Sequence, residues 1–537
     1  MAEKVTLAVM NGRVYTVDKD RPWAQAIAVA HDKIVRVGND EEIEKMCGSE
    51  TMIIDAGNRL VLPGFNDSHI HTTMAYETFS AQLGEAKSLE EIATLLRKHG
   101  DAHPEYRLVS GTGWKHEAAL IDKRYPRKEE LDEIISDRPL LMVSYDGWVG
   151  LGNSVFTEMA VEAFRGRSPD LGGMETDSRT GEPTGVFHNP GDFVFSAGTL
   201  SDLIRQNALD GLRWVFGQLP RHGITSIHDA ESDLKSLEAY EQLRREGGLL
   251  ARAYIALGYM KTTTDDDLKR IAAIKERHSD EWIRAGVIKL FMDGVLESHT
   301  AAMLEPYADM PSVSGEAKYS AEVLKAIVEK LDKMGLQCMI HACGDSGVRL
   351  ALDAYEHSVK KNGRRDSRHR IEHIEMLSQQ DVPRFKELGV IASMQPLHAA
   401  PLTERVYVSA AGLERMKTSF PWRMLNGAGA ILAFSSDWPV ADMNPLTEIQ
   451  AAVTRDWSEE HPRTVTLEKA IEAYTLNGAY ASFEENIKGS IEEGKLADFV
   501  ILSENLFALP PEEIGGAKVL LTVLGGEAVF RAEEFDS

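Results

Sequence analysis

The middle of the chain alternates between short apolar runs and longer stretches with helical spacing. GITSIHD at 223–229 is a run of strand length, whereas SAEVLKAIVEKLDKMG places its apolar residues on one helical face and ends at a glycine. Strands that alternate with helices are typical of βα units around a parallel sheet. The strand-like runs lie at 64–70, 223–229, 251–257, 286–292, 336–342, 369–375, 389–395 and 430–437. Eight such runs predict an α/β fold with a (β/α)8 TIM barrel, formed by residues 63–75 and 205–487.

Both ends of the chain consist instead of short β-rich pieces broken by turns. Residues 1–62 contain an Asn-Gly hairpin signal at 11–12, and residues 488–537 contain the apolar runs DFVIL and KVLLTVL. Neither end has enough strands to bury one face of a sheet by itself. We therefore predict that 1–62 and 488–537 pair into one small composite β-sandwich domain.

The gap after the first barrel strand is too long for one crossover connection. It contains strand candidates at 107–113 and 139–153, followed by a glycine-rich loop. We interpret residues 76–204 as an insertion with some structure of its own. Because loops that follow barrel strands carry function, we expect a lid or specificity element.

The charge balance narrows the classes of partner. The chain has 84 acidic and 59 basic residues, and its formal net charge is −25. This excess opposes binding to phosphate backbones or anionic membranes, so we expect a small-molecule substrate, no nucleic acid and no membrane. Three cysteines are too few for a disulfide framework, no apolar run approaches the ~20 residues of a membrane span, and no signal peptide is visible. We expect a cytoplasmic protein. We also expect a homodimer, because dimers are the commonest oligomers of soluble proteins.

The first barrel strand carries two histidines that suit a metal. His69 and His71 stand two apart in NDSHIHTT. Side chains alternate along a strand, so both imidazoles point to the same side, and at the end of a barrel strand that side can be the open mouth. Two nitrogens held in this way suit a divalent ion, although a His-x-His pair alone is a weak signal.

Other ligand-type residues recur at the ends of the remaining strands. Lys289 lies inside the apolar run GVIKLFM, where a lysine is costly unless its charge is paired or chemically removed. His341, His373 and Asp437 stand at or near the ends of three later runs. The carboxyl ends of barrel strands are where active sites of this fold are built. The joint pattern on five strands predicts a metal site.

Together these segments resemble the amidohydrolase superfamily, and specifically its YtcJ-like branch, which includes N-substituted formamide deformylase. The matching motifs run in the family's order over nearly the whole chain: PGFNDSHIH, VIKLFMDG, IHACGD, RIEHIE, SSDWPV and GSIEEGKLADFVIL. The resemblance implies a metal-dependent hydrolase barrel beside a composite β-sandwich. This agrees with the division drawn from the residues.

The resemblance also implies a ligand set. His69, His71 and Asp437 look like ligands of a first metal ion, while His341 and His373 look like ligands of a second. Lys289 matches the lysine that many members carboxylate to bridge two ions. A carbamate would turn a costly buried cation into an anion that suits divalent charge. If Lys289 stays unmodified, one ion is expected rather than two.

These ions imply hydrolysis of a C–N bond in an amide-like substrate, such as an N-acyl, N-formyl or cyclic amide. A divalent metal lowers the pKa of bound water toward ~7 and polarises a carbonyl. Asp437 would then act as general base and afterwards as general acid. Zinc is the default for histidine-rich ligation, while iron, manganese and cobalt also fit the ligand types.

Three further residues are candidates for substrate binding. His228 ends the second strand in SIHDAE, where it could meet a substrate oxygen or serve as a structural histidine, and Trp114 lies in the insertion. Members of the branch often carry Gly-Ser or Gly-Ala followed by arginine where this chain has Glu297, Ser298 and His299. His299 is therefore a candidate for an altered substrate preference.

Three alternatives stay open. A mononuclear deaminase of the same superfamily commonly has a glutamate soon after the strand-five histidine, whereas ACGDS follows His341 here. A Schiff-base lyase would use Lys289 as nucleophile, since a desolvated lysine is activated by a lowered pKa, but the histidines would then have no task. A non-catalytic regulatory or binding barrel would not need the complete set of ligand-type residues.

Overall fold

The chain folds into two compact units. The structure is a computed structural model that describes residues 4–121, 123–145, 147, 149–164, 173–188, 199–260 and 263–536. The first unit comprises Met1–His71 and Phe216–Ser537, and the second comprises Thr72–Val215.

A nearly closed barrel of eight parallel strands forms the centre of the first unit. Its strands, from first to eighth, are Phe65–Ile70, Ile224–Ser232, Arg252–Gly258, Ile283–Phe291, Gln337–Ala342, Arg370–His373, Ile391–Met394 and Ile431–Phe434. Each strand pairs in parallel with the next along the chain, as βα units require. Backbone hydrogen bonds of 2.8 Å from Asp437 N to His69 O and from His71 N to Trp438 O join the first strand to the segment after the eighth. The predicted (β/α)8 barrel is confirmed.

Amphipathic helices cover the barrel strands, and their sequences explain their bounds. The helix Ala321–Lys333 begins at Ser320, whose side chain accepts a hydrogen bond from Val323 N, and it buries Leu324 and Val328. The chain then turns at Gly335, where φ is 73°. The helices of this unit outside the sandwich are Leu234–Arg245, Asp265–Arg277, Ala321–Lys333, Asp345–Asn362, Val382–Leu388, Pro401–Ala411, Leu413–Met416, Trp422–Gly427, Pro445–Thr454, Leu467–Ala473 and Leu476–Ala481. Within the residues described, no helix combines the length and the apolar character needed to cross a bilayer.

Two sheets from the two ends of the chain pack beside the barrel within the same unit. One sheet has the order Lys33–Gly38, Ala26–Ala30, Leu7–Met10 and Met52–Asp55. The other has the order Glu527–Arg531, Val519–Leu524, Phe499–Leu502, Leu60–Pro63, Arg13–Tyr15 and Trp23–Ala24. Apolar residues of both ends, such as Val9, Ile27, Phe499 and Leu521, form one buried cluster. The sandwich therefore needs both ends of the chain, because its second sheet joins three C-terminal strands to three N-terminal strands where Phe499–Leu502 pairs with Leu60–Pro63.

The second unit is built on a six-stranded mixed sheet. Its order is Met174–Thr176, Pro183–His188, Val149–Gly152, Leu140–Ser144, Val109–Trp114 and Ala81–Gln82. Its helices are Leu89–Ala102, His116–Ala119, Lys128–Asp132, Ser154–Phe164 and Thr199–Ile204, and Ala208–Gln218 crosses into the first unit. The unit extends beyond the predicted insertion 76–204 at both ends. The reason at its C-terminal end is Gln206, which accepts from Arg107 N at 2.8 Å and donates to Leu108 O at 2.9 Å.

A buried ion pair joins the third barrel strand to the C-terminal sheet segment. Arg252 donates from Nε to Asp498 Oδ2 at 2.7 Å and from Nη2 to Asp498 Oδ1 at 3.0 Å. The two side chains are only 1% and 4% exposed. Asp498 Oδ1 also accepts from Gly525 N at 2.8 Å. A buried, bidentate pair of this kind is strongly destabilising when one partner alone is removed, because the other charge stays buried.

We predict that Arg252→Met lowers the free energy of unfolding by about 3–5 kcal/mol, because it leaves the Asp498 carboxylate buried without its cation. Urea denaturation followed by circular dichroism measures this loss. The matched control is Arg244→Met, since Arg244 pairs with Asp280 at 2.7 Å with side chains 36% and 43% exposed. That surface pair should contribute at most ~1 kcal/mol. Equal losses in the two variants would contradict the structural role of Arg252.

Candidate metal centre

The ligand-type residues converge at the carboxyl ends of the barrel strands. The residues brought together are His69, His71, Lys289, His341, His373 and Asp437. Asp437 Oδ1 lies 3.1 Å from His71 Nε2 and 3.4 Å from His69 Nε2. The ring centroids of His69 and His373 are 5.0 Å apart, and those of His341 and His373 are 4.5 Å apart. Four strands and the segment after the eighth therefore meet in one cluster.

A buried carboxylate fixes the orientation of His69. The Nδ1 atom of His69 lies 2.6 Å from Glu372 Oε2, and both side chains are fully buried. Arg370 donates to both oxygens of Glu372, at 2.7 and 2.8 Å, and so keeps that carboxylate ionised. Because a carboxylate only accepts, His69 carries its proton on Nδ1 and presents the Nε2 lone pair to the cluster.

His341 and His373 are oriented by acceptors in the same way. His341 Nε2 lies 3.0 Å from the carbonyl oxygen of Gly294, which leaves Nδ1 as the ring atom with a free lone pair. His373 Nδ1 lies 2.9 Å from Gln395 Oε1, while the amide of Gln395 donates to Ser435 Oγ at 2.9 Å. Each of these imidazoles thus has one nitrogen held by an acceptor and the other available to an ion.

Asp437 is held in a conformation that a helix or strand would not give. Its φ is 56°, and that of His373 is 74°, so both lie in the left-handed region that non-glycine residues rarely adopt. Such backbone conformations cost of order 1–3 kcal/mol each and cluster at functional sites. The preceding residue, Ser436, is fixed by its hydroxyl and its N–H, which donate to Asp67 at 2.5 and 3.1 Å.

The charge of Asp437 is stabilised by its neighbours. Burial raises the pKa of this carboxyl, but His69, His71 and His373 outweigh burial and hold the pKa well below its ordinary value. Its Oδ1 atom makes no hydrogen bond within the part of the chain that the structure describes. Asp437 is therefore a buried anion with an oxygen available to an ion or to water.

Lys289 is a buried amine beside the same histidines. Its side chain is 1% exposed, and its Nζ lies 3.2 Å from His69 Nε2 and 4.8 Å from the ring centroid of Phe291. Burial lowers the pKa of Lys289, although Glu372, Glu231 and Asp437 oppose that effect. A lowered pKa favours the neutral amine, which is the nucleophilic form of a lysine.

The donor set fits a divalent ion. Ligand atoms of His69, His373 and Asp437 lie within 4.8 Å of one another, and all three residues are buried. Imidazole nitrogens and a carboxylate oxygen suit zinc and other first-row metals. Lys289 is compatible with such an ion as a neutral amine or as a carbamate, because a divalent cation would repel its charged ammonium form.

A second buried group orders the loops around His341. Asp293 accepts hydrogen bonds from three backbone N–H groups, those of Ala302 and Gly344 at 2.9 Å and that of Cys343 at 3.0 Å. Burial raises the pKa of Asp293 to about 7, although these N–H groups oppose the shift. The carboxyl thus fastens the loop after the fourth strand to the loop after the fifth.

The sequence candidates for substrate binding have other contacts. His228 accepts a hydrogen bond at Nδ1 from Arg370 at 2.7 Å. On the third strand, its register partner is Tyr254, whereas the register partner of Lys289 is Gly258, four residues further along that strand. By this register it lies deeper in the barrel than Lys289. Its Nε2 finds no hydrogen-bond partner among the described residues.

The other two candidates lie in packed or tethered positions. Trp114 is fully buried in the core of the second unit and contacts the rings of His116 and Tyr125. His299 Nε2 lies 2.9 Å from Asp309 Oδ1, so this ring is tied to its own loop. Asp146 and Trp148, two further residues of the predicted insertion, lie outside the described residues.

Sequence reasoning missed the groups that surround the ligands. Arg370 and Glu372 stand two apart in the buried strand RIEH, and that spacing signals two charges on one buried face that must pair. His398 follows the seventh strand, the same signal that identified the other histidines. Gln395 and the carbonyl of Gly294 gave no signal, because amides and backbone oxygens are common at strand ends.

Comparison with known proteins agrees with this arrangement. Residues 52–530 match the model of the amidohydrolase family. The chain is 27% identical to the putative amidohydrolase YtcJ of Bacillus subtilis, covering 97% of this chain and 98% of that protein. It is 25% identical to N-substituted formamide deformylase of Arthrobacter pascens, covering the whole of both chains (100% each). The resemblance inferred from the motifs is confirmed.

A solved structure shows the same fold. The crystal structure of an uncharacterized metal-dependent hydrolase from Pyrococcus horikoshii matches with a TM-score of 0.76 and 25% identity, covering 94% of this chain and 99% of that chain. The family match spans most of the chain and includes every ligand-type residue of the barrel. The chain belongs to the amidohydrolase family and is a metal-dependent hydrolase acting on carbon–nitrogen bonds.

Proposed function

We propose that the protein hydrolyses the C–N bond of a small amide-like substrate, namely an N-acyl, N-formyl or cyclic amide, with Asp437 as general base and then general acid. The observation that carries this proposal is the orientation of His69, His341 and His373. Each ring has one nitrogen held by an acceptor, so the lone pair of its other nitrogen is free for an ion, and the three residues lie in the buried cluster with Asp437.

A divalent ion would be held by these residues. His69, His71 and Asp437 are the proposed ligands of one ion, and His341 and His373 those of a second, with Lys289 as the bridging group if it is carboxylated. When bound, such an ion supplies a hydroxide nucleophile near neutral pH and polarises the carbonyl of the substrate. Zinc is our first choice because histidine nitrogens dominate the donor set.

Asp437 would move the proton. One oxygen of its carboxylate accepts a proton from the attacking water as the new C–O bond forms. The same oxygen then delivers that proton to the nitrogen as the C–N bond breaks and its electron pair passes to the leaving amine. The low pKa that His69, His71 and His373 impose on Asp437 keeps it ionised and ready to accept.

An activity screen against a panel of candidate amides can narrow the substrate class. Metal-loaded protein should be assayed for released amine or carboxylate with N-formyl amines, N-acyl amino acids and cyclic amides, starting with N-formyl amines because the relative from Arthrobacter pascens is a formamide deformylase. Turnover of an amide supports the proposal. Release of ammonia from an aromatic amine with one ion per chain would favour the mononuclear deaminase instead.

We predict that His69→Ala removes bound metal together with activity, because it deletes a lone pair that Glu372 aims at the cluster. Metal content per chain is measured by plasma mass spectrometry after dialysis against metal-free buffer. His357→Ala is the matched control, since His357 pairs with Glu329 at 2.8 Å on a helix surface. Unchanged metal content in His69→Ala would show that His69 is not a ligand.

We predict that Lys289 is carboxylated when the protein is loaded with metal in bicarbonate. Burial disfavours the lysine cation, and a carbamate would satisfy two ions. Carbon-13 nuclear magnetic resonance of protein loaded in labelled bicarbonate should show a carbamate signal that Lys289→Met lacks. The absence of this signal from the wild type would contradict the bridged site. Trapping of a carbonyl compound on Lys289 by borohydride would favour the Schiff-base lyase.

We predict that Asp437→Asn lowers kcat by about 10²–10⁴-fold while the melting temperature changes little, because the amide keeps the shape but cannot accept the proton. Steady-state kinetics on a substrate from the panel, together with thermal unfolding, measure both effects. Full activity of this variant would remove Asp437 from the proton transfer.

A further inference from the structure

A histidine outside the proposed ligand set faces the metal centre. His398 lies in the short 3-10 turn Pro396–Ala399, directly after the seventh barrel strand. The residue before this turn, Gln395, is the one that orients His373. The turn is therefore anchored to the centre through the residue that precedes it.

Further hydrogen bonds hold the backbone of this turn. Leu397 N donates to the buried carboxyl of Glu448 at 2.8 Å, and Arg455 donates to Leu397 O at 2.9 Å. The N–H of His398 itself donates to Gln395 O at 3.0 Å. Groups on the helix Pro445–Thr454 and next to it thus fix the position from which the His398 ring projects.

The ring of His398 lies between two carboxylates. Its plane is within 8° of parallel to the ring of His373, with centroids 6.1 Å apart. Nδ1 lies 3.7 Å from Glu375 Oε1, and the other oxygen of Glu375 accepts from Tyr407 at 2.7 Å. Nε2 lies 3.7 Å from Asp437 Oδ2. The oxygens of Asp437 can only accept hydrogen bonds, so this geometry favours the form of the ring that carries a proton on Nε2.

The nitrogen nearest to Asp437 is buried without a hydrogen bond. His398 Nε2 has no hydrogen-bond partner among the residues that the structure describes. A distance of 3.7 Å to Asp437 is too long for a direct bond, and leaving a buried donor unpaired is costly. An oxygen atom placed beside Asp437 would supply the missing acceptor.

We propose that His398 is a catalytic residue whose Nε2–H donates a hydrogen bond to the carbonyl oxygen of the scissile amide. This inference rests on the proposed function, because Asp437 there receives the proton of the water that attacks the same carbonyl. As that water adds, the π electrons of the carbonyl move to its oxygen. A fixed donor beside this oxygen stabilises the charge as it develops. Glu375 and Tyr407 are positioning residues, which hold the ring from its far side.

The test compares two substitutions by binding rather than turnover. His398→Phe keeps a flat ring that can stack on His373 but has no donor, and His398→Gln can place an amide donor near the position of Nε2. The probe is methylphosphonate, a small tetrahedral anion that imitates the attacked carbonyl. Its dissociation constant for the metal-loaded protein is measured by titration calorimetry, together with metal content and thermal unfolding. His357→Phe serves as the matched histidine substitution on a helix surface.

We expect both His398 variants to retain wild-type metal content. Loss of a hydrogen bond to a charged oxygen should weaken methylphosphonate binding roughly 10- to 100-fold in His398→Phe, and less in His398→Gln. His357→Phe should bind the probe as the wild type does. Equal affinity of His398→Phe and wild type would overturn the proposal, and loss of metal from His398→Phe would overturn it by making His398 a ligand.

The outcomes separate this inference from the proposed function. If no amide in the panel is hydrolysed but probe binding depends on His398, the donor role is supported and the proposed substrate class is wrong. If amides are hydrolysed and probe binding ignores His398, the proposed function stands and the donor role is wrong.

Discussion

The metal centre depends on one buried ion pair inside the barrel. Arg370 neutralises Glu372 through two hydrogen bonds, and Glu372 in turn accepts from His69. Neither charge could stay buried without the other. Because Arg370 also donates to Ser68 O and to Ser393 Oγ, the pair fastens the first, sixth and seventh strands together and fixes the tautomer of His69. The same interaction therefore sets both the packing of the lumen and the direction of a ligand.

The barrel rim concentrates groups that would be unfavourable elsewhere. His373 and Asp437 have left-handed backbones, Asp437 keeps a buried charge, and Lys289 is a buried amine. Without a bound ligand, each of these features lowers the free energy of unfolding. A bound divalent cation would compensate the buried anion and would use the nitrogen lone pairs. One bound ion would offset several of these unfavourable features at once, which is the physical reason to place an ion among these residues. His398 would then be a hydrogen-bond donor beside that ion.

Sequence periodicity predicted the eight strands because a buried parallel strand leaves a short apolar run, and it singled out the ligand-type residues because polar residues end those runs. It could not place the contacts of the surrounding side chains. His228 ends an apolar run as the ligand-type residues do, yet its ring accepts a hydrogen bond from Arg370. His299 looks like a specificity residue, yet Asp309 holds it. Which partner a side chain finds depends on how the folded loops bring residues together, and sequence periodicity carries no information about that. For the same reason the sequence did not show that Gln206 bonds to residues 107 and 108, which extends the second unit beyond the predicted insertion.

The central claim is that imidazoles from the first, fifth and sixth strands, together with Asp437, bind divalent metal at the carboxyl ends of the barrel strands. Anomalous diffraction from crystals grown with zinc, recorded on both sides of the zinc absorption edge, tests this claim most directly. The account predicts an anomalous peak about 2.0–2.2 Å from His69 Nε2 and from an oxygen of Asp437. A zinc-loaded crystal with its peaks elsewhere, and with the lone pairs of His69 and His373 bonded only to protein or water, would contradict it.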